Sequence, residues 1–269
     1  MTRFAAGVEY DGGAFSGWQR QVGLSTVQSQ LETALSQVLD HSTSITAAGR
    51  TDAGVHARCQ VVHFDTDAQR GERALVLGTN TSLPATIAVR WARAVPDHFH
   101  ARYSASARTY RYCILNRPVR PALAAGRVAF VYKPLQEQAM AEAGLLLLGT
   151  HDFSAFRAAE CQAKSPVRNL LQLRVQRHGE FILLEVTANA FLHHMVRNIA
   201  GLLIHVGAGE AAPELAREVL SGRNRRLAPA TAPAAGLYLW RVQYPAVFGL
   251  PDDSDIMLSA AGCPADLMV

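Results

Sequence analysis

The stretch Gly-Arg-Thr-Asp-Ala-Gly-Val-His-Ala occupies residues 49–57 and separates two runs of residues that favour β-strands, 43–48 and 58–65. We therefore predict that it forms a loop between two strands. Loops of this kind often carry catalytic and binding side chains, because the flanking strands provide a rigid support. Asp52 is the one carboxylate of the stretch, so it is the first candidate for a reactive group.

The residues beside Asp52 fit a functional site and also fit an ordinary turn. Gly49 and Gly54 bracket the carboxylate, and glycine lets another molecule approach the main chain closely. Arg50 can keep Asp52 ionised, or it can bind a phosphate. Asp and Gly are also the usual residues of turns, so local physics leaves both interpretations open.

Outward from this loop, the first part of the chain alternates between strand and helix patterns. An apolar stripe at helical spacing, preceded by a cap at Ser25 or Thr26, predicts a helix that runs to Leu39. The other predicted elements are strands at 3–10, 43–48, 58–65 and 87–95 and a helix at 73–77. The resulting order, β-α-β-β-α-β, is the split βαβ pattern of ferredoxin-like domains.

After Pro96 the pattern begins again. The predicted elements are a strand at 106–115, a helix at 135–148, a hairpin of 170–177 with 181–187, helices at 191–206 and 213–220, and a strand at 237–244. We predict an α+β fold of two ferredoxin-like, RRM-like halves that form a continuous, mostly antiparallel sheet, with helices on one face and a central cleft. The predicted boundaries are residues 1–103, 104–245 and a C-terminal tail at 246–269.

Composition describes a folded globular chain with a mildly basic character. Of the 269 residues, 49% are hydrophobic and 18% are charged, which argues against a disordered protein. The net charge is +4 and the pI is about 9.0, values that a basic surface or a polyanionic partner would explain. No apolar run is long enough to span a bilayer and no secretory signal is evident, so we expect a cytoplasmic protein.

The cysteines favour neither a zinc site nor a disulfide framework. Cys59, Cys113, Cys161 and Cys263 are far apart in the sequence and form no Cys-x-x-Cys pair. Cys59 and Cys113 lie in strand-like runs, so we expect them to be small residues of the core.

Two stretches outside the Asp52 loop carry aromatic residues suited to binding a nucleic acid base. The glycine-rich loop at 12–23 carries Trp18 and polar side chains, although Trp18 itself is expected to pack onto the core. In the strand at 106–115, alternation places Arg108, Tyr110 and Tyr112 on one face. The Tyr110 ring could stack on a base and its hydroxyl could assist a proton transfer, or the residue could be an aromatic of the core.

Arg197 lies in the otherwise apolar helix predicted at 191–206. At helical spacing it shares one face with His193 and Gly201. A charge on an apolar helix needs a partner because burial of an unpaired charge is costly, and Asp52 is a plausible one. The adjacent His193 and His194 point in different directions on a helix and have no third ligand at a standard spacing, so we predict no metal site.

Further basic side chains are candidates for contacts with a phosphate backbone. Singly, each would usually be a solvated charge, but together they suit a surface that follows phosphates. They are Arg157, Lys164, Arg168, Arg223, Arg225 and Arg226.

The motifs of the chain resemble those of one enzyme family. The stretch at 49–57 resembles the catalytic motif of the tRNA pseudouridine synthase A family at nine consecutive residues. Tyr-Asp-Gly at 10–12, Phe-His-Ala-Arg at 99–102, Tyr-Arg-Tyr at 110–112 and Phe-x-His-x-Met-Val-Arg-Asn at 191–198 resemble other family motifs, in the family's order. The resemblance covers most of the chain up to Tyr244.

This resemblance implies an activity, a substrate and a set of roles. The activity is isomerisation of uridine to pseudouridine at positions 38, 39 and 40 in the anticodon stem-loop of tRNA, by a homodimer without metal or cofactor. Asp52 would be the catalytic nucleophile or base, acting on a flipped-out uridine. Tyr110 would lie against the base, Leu237 would contact it from below, and Arg197 would meet the catalytic aspartate.

Two other classes of protein remain as alternatives from the residues. One is a non-catalytic tRNA-binding or chaperone protein, in which arginines and aromatics matter but Asp52 does not. The other is a metal-dependent hydrolase that uses Asp52, His56 and the pair His193 and His194. The intact motif at 49–57 disfavours the first, and the ligand spacing disfavours the second.

Overall fold

The structure is a computed structural model, and it describes residues 1–251 of the chain. These residues form two compact units, one made of residues 1–106 with 238–251 and the other of residues 107–237. Within this described part, no helix has the length and apolar character needed to cross a membrane. The tail predicted at 246–269 lies outside the described residues from position 252 onward, and so does Cys263.

Ten strands and five α-helices are present among residues 1–251. In chain order they are β1 (Thr2–Tyr10), α1 (Val27–Leu39), β2 (Thr46–Ala47), β3 (His56–Thr66), α2 (Glu72–Ser82), β4 (Ile87–Val95), β5 (Ala107–Asn116), β6 (Ala129–Val131), α3 (Glu137–Leu145), β7 (Gly149–Asp152), β8 (Val167–His178), β9 (Phe181–Ala188), α4 (Met195–Gly207), α5 (Leu215–Gly222) and β10 (Leu237–Gln243).

The first unit has the predicted β-α-β-β-α-β order. Its strands are arranged β4-β1-β3, all antiparallel, and β2 pairs antiparallel with β3. The start of β10 pairs with β3 in parallel, through Tyr238 with His56 and Leu239 with Ala57. The loop that carries Asp52 therefore leads directly into β3, which has paired neighbours on both sides.

Helix α1 forms where the sequence predicts it, because its start and its buried face are both encoded locally. The Thr26 side chain accepts from the Ser29 backbone N–H, and the Ser29 hydroxyl oxygen accepts from the Thr26 N–H, which makes a capping box. Leu31 and Leu35 are buried along one stripe. The helix ends at Leu39 because the next residue, Asp40, has a left-handed φ of 57°.

Helix α2 is longer than the prediction of 73–77, because tertiary contacts extend it to Ser82. A Cβ on Gly78 would lie 3.0 Å from a methyl group of Val38, so the glycine permits close packing of the helix. The Asn80 amide bonds both the N–H and the carbonyl of Val89. Helix propensity alone predicts too short a helix when tertiary contacts stabilise its C-terminal end.

The second unit contains a four-stranded antiparallel sheet in the order β5-β9-β8-β7, with β6 added in parallel to β5. The predicted hairpin is confirmed as β8 and β9, and Gly179 in its turn has a φ of 57°. Cys113 is buried on β5, where burial raises the pKa of its thiol to about 11. Cys59 is also buried, so both cysteines are core residues as predicted.

Helix α4 begins later than predicted. His194 has a φ of 63°, a left-handed conformation that cannot belong to an α-helix, so the helix starts at Met195. The prediction that His193 shares a helical face with Arg197 and Gly201 is therefore wrong. The apolar face is as expected, with Met195 and Ile199 buried.

The α+β class and the mostly antiparallel pairing are confirmed in both units. The strand predicted at 237–244 is β10, and its residues from Tyr238 onward group with the first unit. The division at residues 103 and 245 stays a prediction.

A buried histidine on β3 makes the first unit sensitive to acid. His63 is 7% exposed, and its Nδ1 accepts a hydrogen bond of 3.1 Å from the Ala101 N–H. Burial lowers the pKa of His63 to about 4, and the neighbouring His100 and Arg3 add to this effect. The folded state therefore holds this imidazole neutral.

We predict that the first unit loses about 2 kcal/mol of stability between pH 7 and pH 5. The unfolded chain protonates His63 near pH 6.5 while the folded chain resists until about pH 4, so stability falls as pH falls through this window. Urea unfolding followed by tryptophan fluorescence measures this, since Trp18, Trp91 and Trp240 all lie in the first unit.

The variant His63→Asn keeps an acceptor and removes the titration, so its stability should change less between the two pH values. The control is His178→Asn, which removes an exposed histidine and should keep the wild-type dependence. An equal pH dependence for His63→Asn and the wild type would contradict this account.

Candidate active site

The Asp52 loop is short and tightly turned. It runs from the end of β2 to the start of β3, and the Val55 N–H donates to the Asp52 carbonyl at 3.1 Å. Gly54 has a φ of 76°, which only glycine adopts without strain. Asp52 is half-buried, whereas Arg50 is exposed. The carboxylate is thus carried on a fixed turn and reaches the surface of the first unit.

A second loop, residues 11–18, holds the Asp52 loop through Thr51. The Tyr10 hydroxyl and the Thr51 Oγ1 are 2.8 Å apart, and the Trp18 N–H donates to the Thr51 carbonyl at 3.0 Å. Trp18 is 2% exposed and its ring contacts Tyr10, so the expectation that it packs onto the core is confirmed. The residue next to Asp52 is therefore fixed at both its side chain and its carbonyl.

Two glycines of this second loop let the two backbones touch. A Cβ on Gly12 would lie 1.9 Å from the Val55 carbonyl oxygen, closer than any real contact. A Cβ on Gly17 would lie 2.9 Å from the Thr51 carbonyl oxygen, and Gly17 also has a φ of 89°. The contact between the loops therefore needs glycine at both positions.

His56 closes the other end of the Asp52 loop. It is 2% exposed, its ring stacks on Tyr238 with centroids 4.7 Å apart, and the Gly12 N–H donates to its Nδ1 at 3.1 Å. The same Nδ1 lies 3.1 Å from a carboxylate oxygen of Asp11. His56 acts here as part of the support of the loop.

A buried carboxylate, Glu32 on α1, connects Arg20, two residues beyond the second loop, to the segment before Asp52. Its Oε1 accepts from the Ile45 N–H at 3.1 Å and from the Gln28 amide at 2.9 Å, and its Oε2 lies 3.0 Å from the Arg20 guanidinium. Gln28 in turn accepts from the Arg20 N–H at 3.0 Å. Sequence reasoning missed Glu32, although its position beside Leu31 in the apolar stripe of α1 is a signal for a buried charge.

The second unit places Tyr110 on β5 with little exposure. Its ring packs edge-to-face against Phe191, with centroids 5.0 Å apart. Arg108 and Tyr112, predicted to share its strand face, are also buried. Burial raises the pKa of the Tyr112 hydroxyl, which stays protonated and donates to the Pro233 carbonyl at 2.8 Å.

Arg197, in the first turn of α4, is paired with a neighbouring segment of its own unit. Its Nε donates to the Ala232 carbonyl at 2.9 Å, and its carbonyl accepts from the Ala232 N–H at 3.1 Å. A Cβ on Gly201 would lie 2.0 Å from the Ala230 carbonyl oxygen. These contacts fix the segment 230–233 against α4, and Leu237 follows it as a buried residue at the start of β10.

A buried amide completes this arrangement. The Asn198 Oδ1 accepts from the Arg225 guanidinium at 3.1 Å and from the Thr231 hydroxyl at 2.7 Å. Arg225 also donates to the carbonyl oxygens of Ala228 and Pro229 at 2.9 Å each. The Arg225 guanidinium therefore holds its own loop together. Its predicted contact with a phosphate backbone stays a prediction.

The basic residues predicted to bind RNA differ in their surroundings. Arg157 donates to the Cys161 carbonyl at 3.2 Å, while Lys164 is exposed. Arg168 donates to the carbonyl oxygens of Ser165 and Val167, and burial holds the pKa of its guanidinium below the usual value. Two of the three side chains thus already contact the loop at 161–167.

Comparison with known proteins gives the class and the family. The sequence profile of a family described as tRNA pseudouridine synthase matches residues 6–104 and 143–245. The relative from Pseudomonas aeruginosa named tRNA pseudouridine synthase A is 54% identical over 253 residues, which are 94% of this chain and 89% of that one. Relatives of the same name from Tolumonas auensis and Legionella pneumophila are 54% and 52% identical, over 93% and 92% of this chain and 95% of each relative.

These matches define an RNA-modifying isomerase, an enzyme that rearranges uridine within tRNA without adding or removing atoms overall. More particularly, the chain belongs to the tRNA pseudouridine synthase family.

We predict that Glu32→Gln lowers both stability and turnover. An amide in place of the carboxylate loses the ion pair with Arg20 and turns an N–H₂ toward that guanidinium, at a cost of about 1–3 kcal/mol. The chain at Arg20 is then fixed less firmly, and with it Trp18, whose N–H bonds the Thr51 carbonyl, so kcat should fall several-fold. Thermal unfolding and steady-state rates on tRNA measure the two effects.

The matched control is Glu72→Gln in the same unit. Glu72 also pairs with an arginine, Arg93, and accepts from a backbone N–H, that of Ala94, but the pair is exposed. Exposed pairs contribute little, so this variant should stay within about 0.5 kcal/mol of the wild type and keep its rate. Equal behaviour of the two variants would show that the Glu32 network has no special role.

Proposed function

We propose that the chain isomerises uridine to pseudouridine at positions 38, 39 and 40 in the anticodon stem-loop of tRNA, with Asp52 acting on a flipped-out uridine. The bond between N1 and C1′ breaks, the uracil turns, and C5 bonds to C1′. The hydrogen of C5 leaves to solvent while N1 gains one, so the atoms balance. Asp52 serves as the nucleophile or base, and the reaction proceeds with no metal and no cofactor.

The observation that carries this proposal is the support of the Asp52 turn. The motif at 49–57 is intact, its turn is half-buried, and its backbone is in van der Waals contact with the loop at 11–18. A catalytic group must be held in position before substrate arrives, because reorganisation during the reaction would raise the barrier. A simple surface turn has no need of this support.

In this proposal four other side chains contribute to the site, one through Asp52 and three through the substrate. Arg197 pairs with Asp52 and directs it, since a guanidinium offers a planar set of donors to a carboxylate. Tyr110 stacks on the flipped base, and Leu237 contacts that base from the other side. Arg50, which is exposed beside Asp52, binds the phosphate of the target nucleotide.

The proposal also covers the rest of the tRNA and the assembly. Arg157, Lys164 and Arg168 contact the phosphate backbone, which makes binding sensitive to salt. The enzyme works in the cytoplasm as a homodimer with one tRNA lying across both subunits. Because several neighbouring uridines are accepted, recognition rests on RNA shape more than on sequence.

The proposal is tested by tritium release from tRNA labelled at uracil C5, measured in EDTA. The wild type should release the label, because rejoining at C5 expels that hydrogen. We predict that Asp52→Ala releases none while its folding and its tRNA affinity change little, since the side chain is small and partly exposed. Mapping the product within the tRNA then tests positions 38, 39 and 40.

The control variant is Asp40→Asn, which removes a carboxylate from the same unit. Asp40 has a left-handed φ of 57°, a conformation that asparagine tolerates well, so this protein should fold and release label like the wild type. Appreciable release by Asp52→Ala would refute the role of Asp52. Binding of tRNA with no release by the wild type would favour the non-catalytic tRNA-binding alternative.

A further inference from the structure

An aromatic side chain of the first unit stands out from the surface on a well-ordered loop. Tyr103 is 77% exposed, more than any other aromatic residue among positions 1–251. Its ring contacts the His100 ring at a tilt of 32°, with centroids 4.3 Å apart, and the Arg102 guanidinium lies over the Tyr103 ring, 5.6 Å from its centroid. We call His100, Arg102 and Tyr103 the Tyr103 platform.

The loop that carries the Tyr103 platform is fixed by hydrogen bonds of its own. The His100 N–H donates to the Ser104 hydroxyl at 3.0 Å, and the Ser104 N–H donates to the His100 carbonyl at 2.9 Å. The His100 Nδ1 accepts from the backbone N–H groups of Arg102 and Tyr103 at 3.1 and 3.2 Å. A single imidazole thus holds both of its neighbours in place.

Hydrogen bonds connect this loop to the core of the first unit. The Ala101 N–H donates to His63 on β3, and the Ala101 carbonyl accepts from the Tyr244 hydroxyl at 2.6 Å. Phe99, beside it, is fully buried. The exposed ring therefore needs no ordering when it meets a partner, which removes one of the usual costs of binding.

The Tyr103 platform is chemically suited to a nucleic acid base. Tyr103 keeps 77% of its surface exposed, so its ring is accessible to a base, and the Arg102 guanidinium over the ring adds a positive charge. Single-stranded nucleic acids bind through this combination of exposed aromatic faces and cations. A protein partner would more usually meet a contiguous apolar patch of several hundred Å² than one ring beside an arginine.

The position of the loop separates it from Asp52. His56 adjoins the Asp52 loop at one end of β3, and His63 holds the Tyr103 loop seven residues further along the same strand. At about 3.3 Å per residue, the two points lie roughly 23 Å apart. A base on the Tyr103 platform is therefore not the base that Asp52 acts on.

We propose that Tyr103 stacks on an unpaired base of the substrate tRNA other than the reacting uridine, with Arg102 binding the phosphate beside that base. The inference rests on the proposed function, which makes tRNA the substrate. Tyr103 is thus a binding residue that positions the RNA. It contributes to affinity and leaves the chemical step unchanged.

The test compares Tyr103→Ala, Tyr103→Leu and Tyr103→Phe in tRNA dissociation constant, in KM and kcat for tritium release, and in melting temperature. Stacking on an aromatic ring changes affinity by about tenfold per base. Ala and Leu should therefore raise the dissociation constant and KM about tenfold with kcat and melting temperature unchanged. Phe keeps the ring face and should stay within about twofold of the wild type.

The control is Tyr132→Ala, which removes an exposed tyrosine from the second unit and should bind tRNA like the wild type. Wild-type affinity for Tyr103→Ala, or for Tyr103→Leu, would overturn the stacking role. A changed sedimentation coefficient without changed RNA affinity would assign the ring to a protein contact, which also overturns it. If Asp52→Ala still releases label while Tyr103→Ala loses affinity, the role of Asp52 fails and the Tyr103 inference stands.

Discussion

The candidate site of the first unit depends on a contact between two backbones. At Gly12 and Gly17 the loop of residues 11–18 comes so close to the Asp52 loop that no side chain fits between them. Hydrogen bonds then fix the Thr51 side chain to Tyr10, just before this loop, and the Thr51 carbonyl to Trp18 within it. Side chains can repack around a substitution, but a main-chain contact of this kind has no such freedom, so it sets the position of Asp52.

The surrounding elements of the first unit stabilise this contact. The capped helix α1 follows the supporting loop in the chain, and its buried Glu32 reaches both Arg20, two residues beyond that loop, and the Ile45 N–H before Asp52. Strand β3, paired on both sides, begins at His56 and fixes the far end. In the second unit the segment 228–233 is stabilised in a similar way. Arg197 and Arg225 donate hydrogen bonds to its carbonyl groups, and Gly201 lets its backbone approach α4 closely.

Elements that are encoded locally could be predicted from the sequence, and elements that depend on distant contacts could not. The cap and apolar stripe of α1, and the strand-favouring runs of β1 and β4, give nearly the observed bounds. The start of α4 depends on one left-handed residue, His194, and the length of α2 depends on contacts with Val38 and Val89. The roles of Glu32 and Tyr103 could not be predicted for the same reason. The partners of Glu32 are remote in the sequence, and those of Tyr103 are brought to it by a folded loop.

The most direct test replaces Gly17 in the supporting loop, or Gly23 beyond it, and measures the single-turnover rate of tritium release. Gly17→Ala places a methyl group against the Thr51 carbonyl, so we expect a rate reduced at least tenfold with tRNA affinity nearly unchanged. Gly23→Ala is the matched control, since Gly23 has a similar φ of 75° but no atom within 4 Å of the added methyl group. It carries the backbone strain of about 1 kcal/mol without the clash and should keep the wild-type rate. Equal rates for the two variants would contradict the claim that contact between the loops positions Asp52.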